Sequence, residues 1–321
     1  MVTGIANQGP DHTFPGIVNL DEVLDAAKSF EPLNPTIVKL SSMLIDQDVG
    51  LNEISSLISY DQALTLKLLK AANSAYVGSS MRITTVQEAI SFIGEFKTLN
   101  LLLSCTLGKQ LREVKLPAYK DTEGLLWRDS VLASITAEQC SKIFRVHAPP
   151  ESNTSALLLN VGKVVLSRFM STEIQEYISV CKQKGNDQIQ AEMEVMNIHY
   201  GKVGGLIAQH WGLPYEITVG ISYQHDPDSV KNPTSDVAHV CYKLVEYLTQ
   251  AKPDEQAELS IHSNVLERLQ PSSKAWLDVL MELVRERYLR VCRSYDLPEN
   301  RLIPTAWGST HPAEMPQAAL A

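Results

Sequence analysis

The sequence predicts an all-α protein, and two observations carry the prediction. Its periodic stretches place their apolar residues three and four positions apart, the spacing of one helix face. Helix starts and stops stand beside those stretches. Pro35 suits a first turn, Asp61 a cap, Thr85 with Glu88 a capping box, and Gly212 followed by Pro214 a stop.

The chain has 321 residues, 44% hydrophobic and 20% charged, enough for one large or two smaller globular domains with a real core. A net charge of −9 repels phosphate backbone, so nucleic acid is disfavoured as a partner, a local basic patch aside. Cys105, Cys140, Cys181, Cys241 and Cys292 lie far apart without a Cys-x-x-Cys pair, which fits reduced, buried thiols in a cytosolic protein. The first residues, MVTGIANQGPDHTFPG, hold neither a basic nor an apolar region of a signal peptide. No apolar run approaches the roughly 18 residues of a membrane span. The expectation is a soluble, cytoplasmic protein with no membrane contact.

Residues 1–18 read as a flexible tail. From Asn19, Leu20, Val23, Leu24 and Ala27 mark a helix face, with Asp21, Asp25 and Lys28 on its wet side. Ile37, Leu40 and Leu44 mark the next, and Asp46 and Asp48 end it. Leu51, Ile54, Leu57 and Ile58 form a third stripe; Leu64, Leu68 and Ala72 form a fourth, behind Asp61. A turn about Gly78 leads to the capping box and to Ala89, Ile90 and Ile93, and an apolar helix then runs from about Phe96 to Leu111.

Lys115 to Asp121, with Pro117, is a polar connector between an N-terminal helical lobe, residues 19–116, and a second lobe, residues 122–230. The second lobe opens on a helix bearing Leu126, Leu132, Ile135 and Ala137. Ser155 to Leu166, SALLLNVGKVVL, reads as an apolar helix interrupted by Asn160, Gly162 and Lys163. Ser171 to Lys184 is amphipathic, Gly185-Asn186-Asp187 is a turn, and Gln190 to Pro214 reads as helix up to its stop. Residues 231–297 hold further helices, from Thr234 to Leu248 and from Pro271 to Tyr295, and residues 298–321 are Pro/Ala-rich and expected to be disordered.

Several phrases carry a family resemblance. FEPLNPTIVKL from Phe30, ISSLISYDQALTLKLLKAANSAYVG from Ile54 and ITTVQEAISFIG from Ile83 occur in that order. Further on stand Trp127-Arg128-Asp129-Ser130, Val161-Gly162-Lys163 and Trp211-Gly212-Leu213-Pro214. Together these resemble the HDOD domain, a bacterial signalling relative of the HD phosphohydrolase superfamily, over about Phe30 to Pro227. The resemblance implies a multi-helical HD-like bundle with an N-terminal helical lobe.

It also marks a loss. The superfamily's second signature is an apolar run, His-Asp, an aliphatic residue, Gly and Lys; here Leu159 and Asn160 replace the His-Asp pair. An HD site uses imidazoles and carboxylates from several helices to hold a divalent metal that activates water. Leu159 has no lone pair, and Asn160 offers only a neutral amide oxygen. Asp129 stands at the family's first His position, Tyr200 rather than His199 at the third, and Gln224-His225 at the fourth. His199, one residue away, would be rotated by about 100° on a continuous helix. The remaining polar set is Asp129, Asn160, Lys163, His199 and His225, read as hydrogen-bonded relics or as a vestigial ligand pocket.

No P-loop or G-x-S-x-G elbow occurs, and His239 and His262 lack metal-ligand spacing. The expected function is non-catalytic regulation in signal transduction, through other signalling proteins or a nucleotide or cyclic dinucleotide, with no cofactor. The alternatives are a weak metal-dependent phosphohydrolase using Asp129, His199 and His225, or a nucleotide sensor without hydrolysis. Oligomerisation is left open.

Overall fold

A computed structural model describes residues 18–46, 49–75, 83–119, 124–249 and 259–294. The tails, the turn about Gly78, Asp48 and the connector past Tyr119 therefore lie outside the described residues. Helices account for nearly all of the regular structure described; an isolated β-bridge pairs Phe144 with Pro271.

The caps named in the sequence form. Helix α1, Leu20–Lys28, starts under Asn19, whose side chain accepts from the Asp21 N–H. Helix α2, Pro35–Ile45, has Pro35 in its first turn and Asn34 as cap. Helix α3 is Leu51–Ser59 and α4 is Gln62–Ala75. Asp61 accepts the Leu64 N–H at 3.0 Å and the Asn34 amide at 2.8 Å, so one carboxylate joins the starts of α2 and α4. Helix α5, Val86–Ile93, carries the complete Thr85/Glu88 capping box. Helices α3, α4 and α5 pack on one another, and α6, Glu95–Glu113, carries their core onward.

Helix α7, Leu125–Ile143, is buried along most of its length. It packs against α8, Ser152–Leu157, against α14, Pro233–Thr249, and against α16, Trp276–Ser294. Between α8 and α14 run α9, Val161–Leu166; α10, Thr172–Gln183; α11, Gln188–Met196; α12, Tyr200–His210; and α13, Tyr215–Tyr223. Helix α15 is Ser263–Leu269.

Two expected helices are split. The apolar stretch Ser155–Leu166 breaks between α8 and α9, leaving Gly162 and Lys163 inside α9 and Asn160 at its start. The stretch from Gln190 breaks at Asn197, which takes the left-handed conformation, φ 57°, and ends α11. His199 therefore caps α12 with extended backbone and is not part of a continuous helix. The last helix starts at Trp276 because Pro271 is engaged in the bridge to Phe144.

Helix α12 sits among α1, α9 and α13. Its approach to α9 is backbone on backbone. A Cβ at Gly162 would lie 1.9 Å from the Tyr200 carbonyl oxygen and 2.5 Å from the Gly204 nitrogen. Helix α1 reaches the same bundle: the Trp211 indole donates to the Glu31 carbonyl at 3.0 Å, and its ring lies 5.7 Å from that of Phe30.

The C-terminal helices are fastened to this bundle by charge. Arg268 on α15 donates to both oxygens of Asp236 on α14, at 2.8 and 2.6 Å, and to Asp228 at 2.8 Å. Asp236 is buried, so this fork supplies the pairing its charge requires. Glu138 on α7 meets Lys97 of α6 at 2.8 Å and Arg287 of α16 at 3.6 Å. His239 on α14 is buried; its Nδ1 lies 2.7 Å from the Gln224 carbonyl and its Nε2 accepts the His262 N–H at 3.4 Å. A carbonyl only accepts, so Nδ1 carries the proton and the ring is neutral.

Two predictions follow from this packing. Gly162→Ala should destabilise the protein by about 3 kcal/mol in urea unfolding, because the obstructing atoms are backbone. Gly50→Ala, with no atom within 4 Å of the new Cβ, should change stability by less than about 0.5 kcal/mol. The second concerns acid. Burial depresses His239 from 6.5 to about 4. Between those values the unfolded chain takes up a proton that the fold refuses. Its contribution is complete above about pH 6.5 and is lost as pH falls toward 4, by roughly 3 kcal/mol. His239→Gln should flatten the fall in urea midpoint across that window; an unchanged slope would remove His239 as its source.

Candidate functional site

The polar residues singled out in the sequence do not form one cluster. Lys163, His199 and His225 gather around Tyr200, whose ring is fully buried at the start of α12. The Lys163 ammonium lies 4.9 Å from the Tyr200 ring centre and 5.4 Å from that of Tyr119. His225 meets Tyr200 edge-on at 5.0 Å, His199 at 5.2 Å and Tyr242 at 4.3 Å. The break at Asn197 puts His199 beside His225, where a continuous helix would have turned it away.

Gly201 sets the spacing. A Cβ there would lie 2.9 Å from Cδ2 of His225 and 3.1 Å from Cε1 of His199. Both histidines are neutral in this setting. Burial, aided by the Lys202 charge, lowers His199 to about 4, and burial with the neighbouring His199 holds His225 well below the ordinary imidazole range. Both ring nitrogens of His225 and Nδ1 of His199 are buried without a hydrogen-bond partner among the described residues.

Glu192 was not singled out in the sequence, yet it organises this centre. It is wholly buried on α11, accepts the Tyr200 N–H at 2.8 Å and accepts the Gln188 amide at 2.9 Å. Burial raises its carboxyl, against the hydrogen bonds from Gln188 and Tyr200, the nearby Tyr119 hydroxyl and the charge of Lys163. Lys163 is thus an ammonium set against two aromatic faces and within reach of a buried carboxylate's field. The one available signal for Glu192 was an acidic residue on the inner side of a short helix eight positions before Tyr200.

Asp129 and Asn160 stand apart from these contacts. Asp129 is buried beside Arg128, whose Nε and Nη2 reach the same oxygen at 2.8 and 2.7 Å. The pair's influence extends to Tyr288 on α16. Asn160 is buried, and its side chain makes no cap to α9. Leu159 is in the core; its carbonyl accepts the Gln224 amide at 2.9 Å, tying α9's approach to the end of α13.

An HD-type metal does not fit this donor set. Its central pair is a hydrocarbon and an amide, Asp129 is neutralised by its neighbour, and Glu192 is spent on a backbone N–H and an amide. Among the described residues no three His, Cys, Asp or Glu side chains converge as a metal site. What remains is a pair of neutral imidazoles and a caged ammonium.

Comparison with known proteins places this arrangement. An uncharacterized protein of Treponema pallidum (strain Nichols) is 25% identical over 246 residues, 75% of this chain and 47% of that protein, so the chain spans about half of its relative. An HDOD domain protein of unknown function from Geobacter sulfurreducens has the same fold, with TM-score 0.64 at 21% identity over 86% of this chain and 99% of its own. A protein from Marinobacter aquaeolei VT8, provisionally assigned to signal transduction, has TM-score 0.65 at 19% identity over 88% of this chain and 63% of its own. The HDOD domain family model matches residues 31–227, more than half of the sequence, and the chain belongs to the HDOD domain family.

Proposed function

We propose that this protein is a regulatory component of a signal-transduction system that works by binding and not by phosphoester hydrolysis. One observation carries the reading. Where hydrolysis would need a metal-bound imidazole and carboxylate, the chain has Leu159 in the core and Asn160. The substitution leaves a buried centre in which Lys163 faces aromatic rings and both histidines are neutral. Such a centre rigidifies helices; it does not hold hydroxide at a phosphorus atom. Family membership and the signal-transduction assignment of the Marinobacter aquaeolei relative support a signalling role.

The partners are other signalling proteins, met in the cytoplasm, with a nucleotide or cyclic dinucleotide as a candidate small ligand. Binding would bias the set of the N-terminal helices α2 to α5 against the remaining bundle, with the segment around Pro117 as hinge. Helix α1 is the counterweight in this scheme, since Glu31 and Phe30 are held by Trp211 of the second half.

Purified protein incubated with Mn, Fe, Ni or Zn should retain well under one equivalent after desalting and should not turn over bis(p-nitrophenyl) phosphate or cyclic dinucleotides. Stoichiometric metal that disappears in both Asp129→Ala and His225→Ala, with turnover to match, would replace this reading with that of a metal-dependent phosphohydrolase. Thermal unfolding with cyclic dinucleotides provides the complementary measurement: a ligand of the folded state at about 100 times its Kd stabilises by about 2.7 kcal/mol and raises Tm.

A further inference from the structure

Helix α12 presents a second stripe, separate from the residues around Tyr200. Lys202, Gly205, Leu206 and Gln209 share one face of α12; Tyr215, Thr218, Val219, Ser222 and Tyr223 share one face of α13. The two faces enclose a cleft of about 240 Å³. At its floor the helices nearly touch, because a Cβ on Gly205 would fall 1.9 Å from the Ser222 hydroxyl. The seven-residue span from Lys202 to Gln209 makes the cleft about 10 Å long.

Its chemistry is graded along that length. At one end the Lys202 ammonium stands 3.6 Å from the centre of the Tyr223 ring. Ser222 adds a half-buried hydroxyl to the cleft lining. The middle is apolar, formed by half-buried Leu206, with Val219 and the Gly205 backbone buried beneath it. At the other end Tyr215 is 62% exposed, large for an aromatic side chain without a partner face. The acidic group whose field reaches Lys202 is Asp226, which is exposed and does not line the cleft.

We infer that this cleft binds a small aromatic carboxylic acid. The carboxylate sits on Lys202 and Ser222, and the ring lies over Leu206 toward Tyr215. The volume suits one or two rings and falls below that of a drug-sized pocket. A single ammonium with no arginine matches a monoanion better than a phosphoester, which draws a bidentate or multiply charged cradle. Burial at the cleft, which lowers the Lys202 pKa, makes an anionic partner more valuable there than at an open lysine. The inference is independent of what the histidine centre does.

Ligand-observed saturation-transfer NMR on the full chain tests it, with phenylacetate and indole-3-acetate as probes and phenylacetamide as the neutral match. Both acids should show transfer, phenylacetamide should bind about tenfold more weakly, and Lys202→Met should bring the acids down by a similar factor. Lys202→Arg should recover part of the loss, and Tyr215→Ala, an exposed position, should weaken both acids in a protein with unchanged Tm. Equal binding of acid and amide, acid binding undiminished in Lys202→Met, or no transfer from either acid at millimolar concentration would each overturn the assignment. An acetylated dipeptide ending in Phe is the competing source of the same carboxylate; if it binds and the free acids do not, the small-acid assignment fails.

Discussion

The contact on which the other arrangements rest is the meeting of two bare backbones, at Gly162 of α9 and Gly204 of α12. The Tyr200 carbonyl and the Gly204 nitrogen occupy the space where any larger residue at 162 would carry its Cβ. That proximity brings α9 down onto the first turn of α12, so the next residue, Lys163, emerges over the Tyr200 ring. It also fixes where Leu159 ends, with its carbonyl offered to Gln224 at the close of α13.

The electrostatics follow from that geometry. A buried carboxylate, a lysine and two imidazoles within one bundle would be costly if all were charged. The molecule resolves this by assigning forms. Glu192 is supported by a backbone N–H and an amide, Lys163 by ring faces, and both histidines give up their protons. Asp129 is removed from the problem by Arg128. Between about pH 6.5 and 4 acid acts on this fold through its neutral histidines, His199 and His225 beside Tyr200 and His239 at the α13–α14 junction, all pushed in the same direction.

Much of the fold was legible because its signals are local. Pro35, Asp61 and the Thr85/Glu88 box act within four residues of themselves, and helical spacing reports a buried face without knowledge of what covers it. The errors came where tertiary contact overrides spacing. Asn197 ends α11 inside a run that still looks helical, and that one left-handed residue decides which way His199 points. The site was legible only in that Leu159 and Asn160 stand where a His-Asp pair would. It was not legible in its replacements: the roles of Glu192 and Tyr242 depend on partners distant in sequence, and Arg268 gives no local hint that it will grip Asp236 and Asp228.

Helix α12 connects these themes. Its sequence, YGKVGGLIAQH, contains Gly201, Gly204 and Gly205, each of which costs an isolated helix about 1 kcal/mol relative to Ala. Alone it would scarcely form. It is held because each missing side chain admits a neighbour: the His225 ring at Gly201, the Ile221 side chain with the α9 backbone behind it at Gly204, and the Ser222 hydroxyl at Gly205. A helix stabilised almost wholly from outside responds to whatever touches its sides. The histidine centre and the α12–α13 cleft lie on two faces of this one element, a helix with little stability of its own.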